Sequence, residues 1–173
     1  LVGSEMCIRD SMKVDQVMIG YYLDTTAVGL YAAAVRLVEI WYFIPGIICS
    51  SLLPAIINAK KAGEEKYKRR LKNLYLLLAS IAVLIAIPST LLAKWLITLF
   101  FGIAFADSII VLQVYVWSGI GLFLTWGLNQ YLLTENRLYT IFNLSFFPML
   151  INIILNIIFI PRFGLSGAAW ATL

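Results

Sequence analysis

From Val28 onward the chain alternates long apolar runs with brief polar interruptions, and the runs have the length of bilayer-crossing helices. A transmembrane helix needs about 20 predominantly apolar residues. Four runs meet that length: Val28 to about Ile57, Leu74 to about Leu92, Ile109 to Leu133, and Leu138 to Ile160. Met12 to Leu23 is too short and reads as the distal half of a helix, while Gly167 onward opens another. The pattern therefore predicts an all-α integral membrane fold with four complete transmembrane helices and two partial ones. Asp24, Thr25 and Thr26 form a polar turn with N-cap chemistry, and Asn58 to Asn73 is a hydrophilic loop. Lys94 to Phe101 is a short amphipathic piece with Trp95 placed as an interfacial anchor. Turns are expected at Gly102 to Asp107, Thr134 to Arg137 and Pro161 to Gly164. At about 1.5 Å per residue the run from Val28 to Ile57 reaches roughly 45 Å, longer than a hydrocarbon core of about 30 Å. Pro45, next to Gly46, is the expected bend, because its ring removes the backbone bond to the carbonyl of Trp41.

Composition agrees with the pattern and narrows the chemistry. Of 173 residues 62% are hydrophobic and 13% charged, against about 25% charged in a soluble domain, and the mean hydropathy is +0.92. There is no histidine, and Cys7 and Cys49 lack metal-ligand or redox spacing. A soluble enzyme is excluded, and neither catalysis, a metal nor a cofactor is expected. The net charge of +4 raises the question of nucleic acid. The basic residues are concentrated in one short loop, however, where membrane orientation is the simpler cause, and no nucleic-acid partner is expected. That loop carries Lys60, Lys61, Lys66, Lys68, Arg69, Arg70 and Lys72, with Arg137 on the same side, against Lys94 and Arg162 on the other. The positive-inside rule makes the loop over 58–73 cytoplasmic.

The opening stretch LVGSEMCIRD breaks from all that follows, being polar, unpatterned and without the apolar region of a signal peptide. It resembles translated sequencing-adapter read-through, so residues 1–11 are expected to be non-native, with the lobe proper over residues 12–173 and both ends truncated. Gly29 with Ala33, Gly164 with Ala168, and Gly167 with Ala171 are small residues one turn apart, which generic helix packing explains.

Several segments in order carry a family resemblance: KVDQVMIG (Lys13 to Gly20), VGLYAAAVRLVEIWYFIP (Val28 to Pro45), SLLPAI (Ser51 to Ile56), the basic loop, FFG (Phe100 to Gly102) and FGLSGAAWAT (Phe163 to Thr172). The chain resembles the polysaccharide-biosynthesis flippases, of the O-antigen type, in the multidrug/oligosaccharidyl-lipid/polysaccharide superfamily. The resemblance implies half of a MATE-like two-lobe transporter, covering about helices seven to twelve of twelve. It implies an alternating-access protein that flips undecaprenyl-pyrophosphate-linked oligosaccharide across the bacterial inner membrane. Its partners would be the lipid-linked oligosaccharide, membrane lipid and the missing N-terminal lobe of the same chain.

A polar glycan and a pyrophosphate cannot cross hydrocarbon without hydrogen-bonding partners, so a cavity lining should carry polar and cationic groups. The intramembrane candidates are Lys13, Asp15, Gln16, Arg36, Glu39, Gln113, Asn129, Gln130, Asn143, Asn152 and Asn156. Charges at depth are costly and usually face a cavity or pair, so Lys13, Asp15, Arg36 and Glu39 are the main substrate or cavity candidates, with structural pairing equally open. Gln16, Gln113, Asn129 and Asn152 are weaker ones, because amides often bond between helices. If the first two helices form a hairpin about Asp24 to Thr26, Asp15 and Arg36 fall at equal depth and should pair, with Lys13 and Glu39 as a looser second pair. Two other functions share the hydropathy. One is a cation-coupled multidrug exporter of the same superfamily, and the other is a membrane-embedded glycan polymerase or scaffold, which would usually show a large outer loop that this chain lacks.

Overall fold

The computed structural model describes residues 14–135 and 137–173, except for the side chains at 138, 142 and 145, and every regular element among them is helical. In chain order these are α1 (residues 14–22), α2 (Thr25–Glu39), α3 (Phe43–Lys61), α4 (Glu64–Leu91), α5 (Ala93–Phe101), a 3₁₀ turn (Ile103–Phe105), α6 (Ser108–Thr134) and α7 (Leu138–Thr172). Four segments are long and apolar enough to span a bilayer: Thr25–Lys61, Glu64–Leu91, Ser108–Thr134 and Tyr139–Thr172. They coincide with the four apolar runs, and the fold is that of an all-α membrane protein.

Local chemistry sets the boundaries. Asp24 caps α2, its carboxylate accepting from the backbone amide of Ala27 at 2.6 Å. The first span is interrupted at Ile40 to Tyr42, where tight bonds run from Trp41 to the Val38 carbonyl and from Tyr42 to that of Glu39. Pro45 lies in the first turn of α3, where a missing amide proton costs least, so the break falls one turn ahead of the proline. The loop expected over Asn58 to Asn73 is instead a tight helical hairpin. Only Ala62 and Gly63 separate α3 from α4, Gly63 adopting φ 127°, which a residue with a side chain rarely takes. The charged residues there are good helix formers, so both helices continue past the apolar run. Lys60 and Lys61 end α3 while Glu64 and Glu65 begin α4, each sign matching the helix dipole. The turn expected from Pro161 contracts to a break at Gly164, where φ 60° and ψ −138° separate two helical arms of α7. Gly167 then lies against the Phe159 carbonyl so closely that a Cβ has no room.

Helix α6 is the spine. Near its start, Val111, Leu112, Tyr115 and Val116 pack with residues of α1, α2, α5 and α7. Phe123, farther along, joins Cys49, Ile56, Leu71, Leu74, Leu78 and Ala82 of α3 and α4. Gly127 permits a close approach of α4 to α6, since a Cβ there would meet the Tyr75 ring at 3.1 Å and Leu78 at 3.2 Å. At the basic end a clasp joins α3, α4 and the end of α6. The Lys60 ammonium donates to the Thr134 carbonyl and to Glu135, both at 2.8 Å, and lies 5.7 Å from the Tyr67 ring centre. The hydroxyls of Tyr67 and Thr134 are 2.6 Å apart. At the opposite end Asp24, Asp107, Gly164 and Ser166 border a common cleft. Large apolar side chains such as Leu84, Leu91, Phe147, Ile151 and Ile154 remain exposed along the spans, as surfaces meant for lipid or for other protein do.

Candidate functional site

Asp15 is 1% exposed and has no cationic partner among the described residues. Three neutral groups from two other helices surround its carboxylate. Asn156 Nδ2 donates to Oδ1 at 2.6 Å, and Tyr31 and the Thr172 hydroxyl lie 3.1 Å and 2.8 Å from Oδ2. The second proton of Asn156 Nδ2 goes to Asn152 Oδ1 at 3.0 Å, one turn earlier on α7. Asn152 Nδ2 in turn lies 3.4 Å from the Ala171 carbonyl and 3.5 Å from Thr172 Oγ1. The Thr172 hydroxyl, with one proton to give, is also 3.0 Å from the Ala168 carbonyl. Asp15, Tyr31, Asn152, Asn156 and Thr172 thus form a continuous network joining α1, α2 and both arms of α7.

The helices bring these residues together through depth and rotation. Asp15 and Tyr31 lie nine and seven positions from Asp24, and Asn156 and Thr172 each lie eight from Gly164. At about 1.5 Å per residue all four sit roughly 10 to 14 Å below the same end. Tyr31 shares its buried face with Ala34, Val35 and Val38 and meets Tyr115 edge to face at a centroid distance of 6.0 Å. The Asn156 Oδ1 atom is buried without a hydrogen-bond partner among the described residues.

The expected Asp15–Arg36 pair does not form. Arg36 is exposed and makes no ion pair among the described residues. Equal depth is not enough: Arg36 lies five residues beyond Tyr31, about 140° around a helix of about 3.6 residues per turn, and so points away from Asp15. Glu39 is likewise exposed, and Lys13, its expected partner, lies outside the described residues. Gln113 donates to the Thr90 carbonyl at 3.3 Å, tying α6 to α4. Gln16 and Asn129 are half-buried apart from the network, Gln130 is buried with Oε1 unpartnered among the described residues, and Asn143 is exposed. Tyr31 and Thr172 carried no sequence signal of their own, since such residues are ordinary in membrane helices.

The groups around the single carboxylate are two hydroxyls, of Tyr31 and Thr172, and the amide nitrogen of Asn156. Among the described residues no three histidine, cysteine or acidic side chains cluster as metal ligands would.

A family model described as polysaccharide biosynthesis protein matches residues 1–110. A relative in Haloferax volcanii described as a probable flippase, AglR, is 27% identical over 170 residues. The match covers 92% of this chain and 34% of the relative, so the chain spans about a third of that protein's length. No solved structure matches the chain.

Proposed function

The chain belongs to the polysaccharide biosynthesis protein family, and from that membership we propose that it is one lobe of a flippase moving a lipid-linked oligosaccharide across the membrane by alternating access. In this reading the lobe spans a bacterial inner membrane with its basic end cytoplasmic, a first lobe completes the cavity, and the carrier is a polyprenyl pyrophosphate. The observation that carries the mechanism is the buried Asp15 network. Among the described residues this carboxylate, set in a membrane interior, has only neutral donors and no compensating charge. A proton or a small monovalent cation arriving there changes the electrostatics at the junction of α1, α2 and the two arms of α7. Those elements then rearrange together, and the lobe alternates between faces. Arg36 and Glu39, exposed on α2, remain candidates for contact with substrate or with the other lobe.

The Asp15 carboxylate would serve a cation-coupled drug exporter of the same superfamily as well, so it is family membership that favours the flippase, and the polymerase alternative draws no specific support from any described residue. Gene disruption tests the proposal. Cells lacking the protein should lose surface glycan and accumulate lipid-linked oligosaccharide, with export restored by the wild-type gene and not by Asp15→Leu. Unchanged surface glycan after disruption would contradict the flippase reading.

A further inference from the structure

Between α3 and α4, at the basic end, lies a cleft of about 500 Å³ whose lining includes Lys66, Arg69 and Arg70 and no acidic residue. It shares Ala55 and Arg70 with a narrower apolar extension of about 110 Å³ that passes Leu52 and Leu77. The gradient from charged mouth to apolar floor follows from helix periodicity. Lys66, Arg69, Arg70 and Leu77 recur at spacings that keep them on one face of α4, and alanines on the facing side of α3 leave the space open.

The pairing of the other charges sharpens the point. Lys60 is engaged by Glu135 and Lys68 by Glu64, whereas Lys66, Arg69 and Arg70, like Lys61 and Lys72, have no acidic partner among the described residues, and of these five only the first three line the cleft. Three unpaired cations around one opening repel each other, and an anion relieves that repulsion. Their depth identifies its source. Apolar character in α4 resumes at Leu74, four to eight residues beyond the cations, which places them roughly 6 to 12 Å outside the hydrocarbon, at the level of lipid phosphates.

We infer that this cleft binds an anionic phospholipid from the adjoining leaflet, its phosphate held by Lys66, Arg69 and Arg70 and an acyl chain lying along Leu52 and Leu77. The inference goes beyond the transport reading and does not depend on it. Arginine supplies planar, bidentate donors for phosphate, and the apolar extension distinguishes a lipid from a soluble anion.

Native mass spectrometry of the full chain in detergent micelles, with dioleoylphosphatidylglycerol or dioleoylphosphatidylcholine added, tests this directly. The phosphatidylglycerol adduct should be retained about tenfold more strongly than the phosphatidylcholine adduct. Neutralising the cleft with K66Q, R69Q and R70Q together should abolish the preference, while the charge-matched K61Q, K68Q and K72Q protein keeps it. Ala55→Leu, which narrows the groove without altering charge, should weaken retention several-fold in protein that stays monodisperse. Equal loss in both triple variants would overturn the inference, reducing the effect to general surface charge. Displacement of the lipid by millimolar inorganic phosphate alone, or by pyrophosphate alone, would overturn it in favour of a soluble anion or a pyrophosphate-bearing substrate.

Discussion

Asp15 is held by a tyrosine, an asparagine and a threonine and, among the described residues, by no arginine, and the reason Arg36 is not its partner is rotational. A hairpin brings residues of equal depth close, but only those on the facing side of the helix meet. Tyr31 is on that side and Arg36 is not. The rarity of charge and amide inside apolar runs made Asp15, Asn152 and Asn156 visible in the sequence. Tyr31 and Thr172 were not, because their role depends on the fold-back at Gly164 and on the phase of α2. Asn156 bridges Asp15 to Asn152, and its removal leaves a buried carboxylate oxygen without its shortest hydrogen bond. Asn156→Ala should therefore destabilise the protein by roughly 1 to 3 kcal/mol, read as a lower thermal midpoint in detergent. Asn143→Ala, at an exposed position on the same helix, should leave the midpoint unchanged.

At the scale of elements, hydropathy located every span but misplaced helix ends wherever polar residues favour helix. Asn58 to Asn73 looked like a loop because its residues are hydrophilic, yet lysine, glutamate and arginine extend α3 and α4 to within two residues of each other. Proline and glycine marked the breaks well, although the chain bends beside Pro45 and Pro161 and not at them. The clasp that closes the basic end has a pH dependence of definite sign. The hydrogen bond from Lys60, with the attraction of its charge, holds the Glu135 carboxyl below its ordinary value of 4.5. A carboxylate lowered on folding stabilises the folded state fully above its unfolded value, and that contribution disappears as pH falls through the folded one. The stability difference between wild type and Glu135→Gln, measured by thermal unfolding in detergent, should be constant from pH 7 to about 5.5 and vanish in stronger acid. A difference that grew on acidification would contradict the clasp.

For the whole molecule, α6 links two packing clusters that lie toward opposite ends, and the same two ends separate the charges. The hairpin about Gly63 and the contacts of Lys60 with Thr134 and Glu135 place 58–73 and the end of α6 together, while Asp24, Asp107 and Ser166 gather at the other end. An impermeant thiol reagent applied to intact cells should label Ser166→Cys and spare Gly63→Cys until the membrane is opened; the reverse pattern would invert the topology. The sequence made this two-ended organisation legible through run lengths and basic residues. It left hidden the convergence of α1, α2 and both arms of α7, which is a tertiary event.

The central claim is the proposal that this convergence at Asp15 couples helix rearrangement to lipid flipping. The most direct measurement reconstitutes the protein in vesicles and follows a fluorescent lipid-linked oligosaccharide from one leaflet to the other. Asp15→Asn keeps the size and polarity of the side chain while removing its charge, so the protein should insert and unfold normally yet lose at least about tenfold in flipping rate. Flipping at the wild-type rate by a folded Asp15→Asn protein would contradict the account and leave the network a structural tie alone.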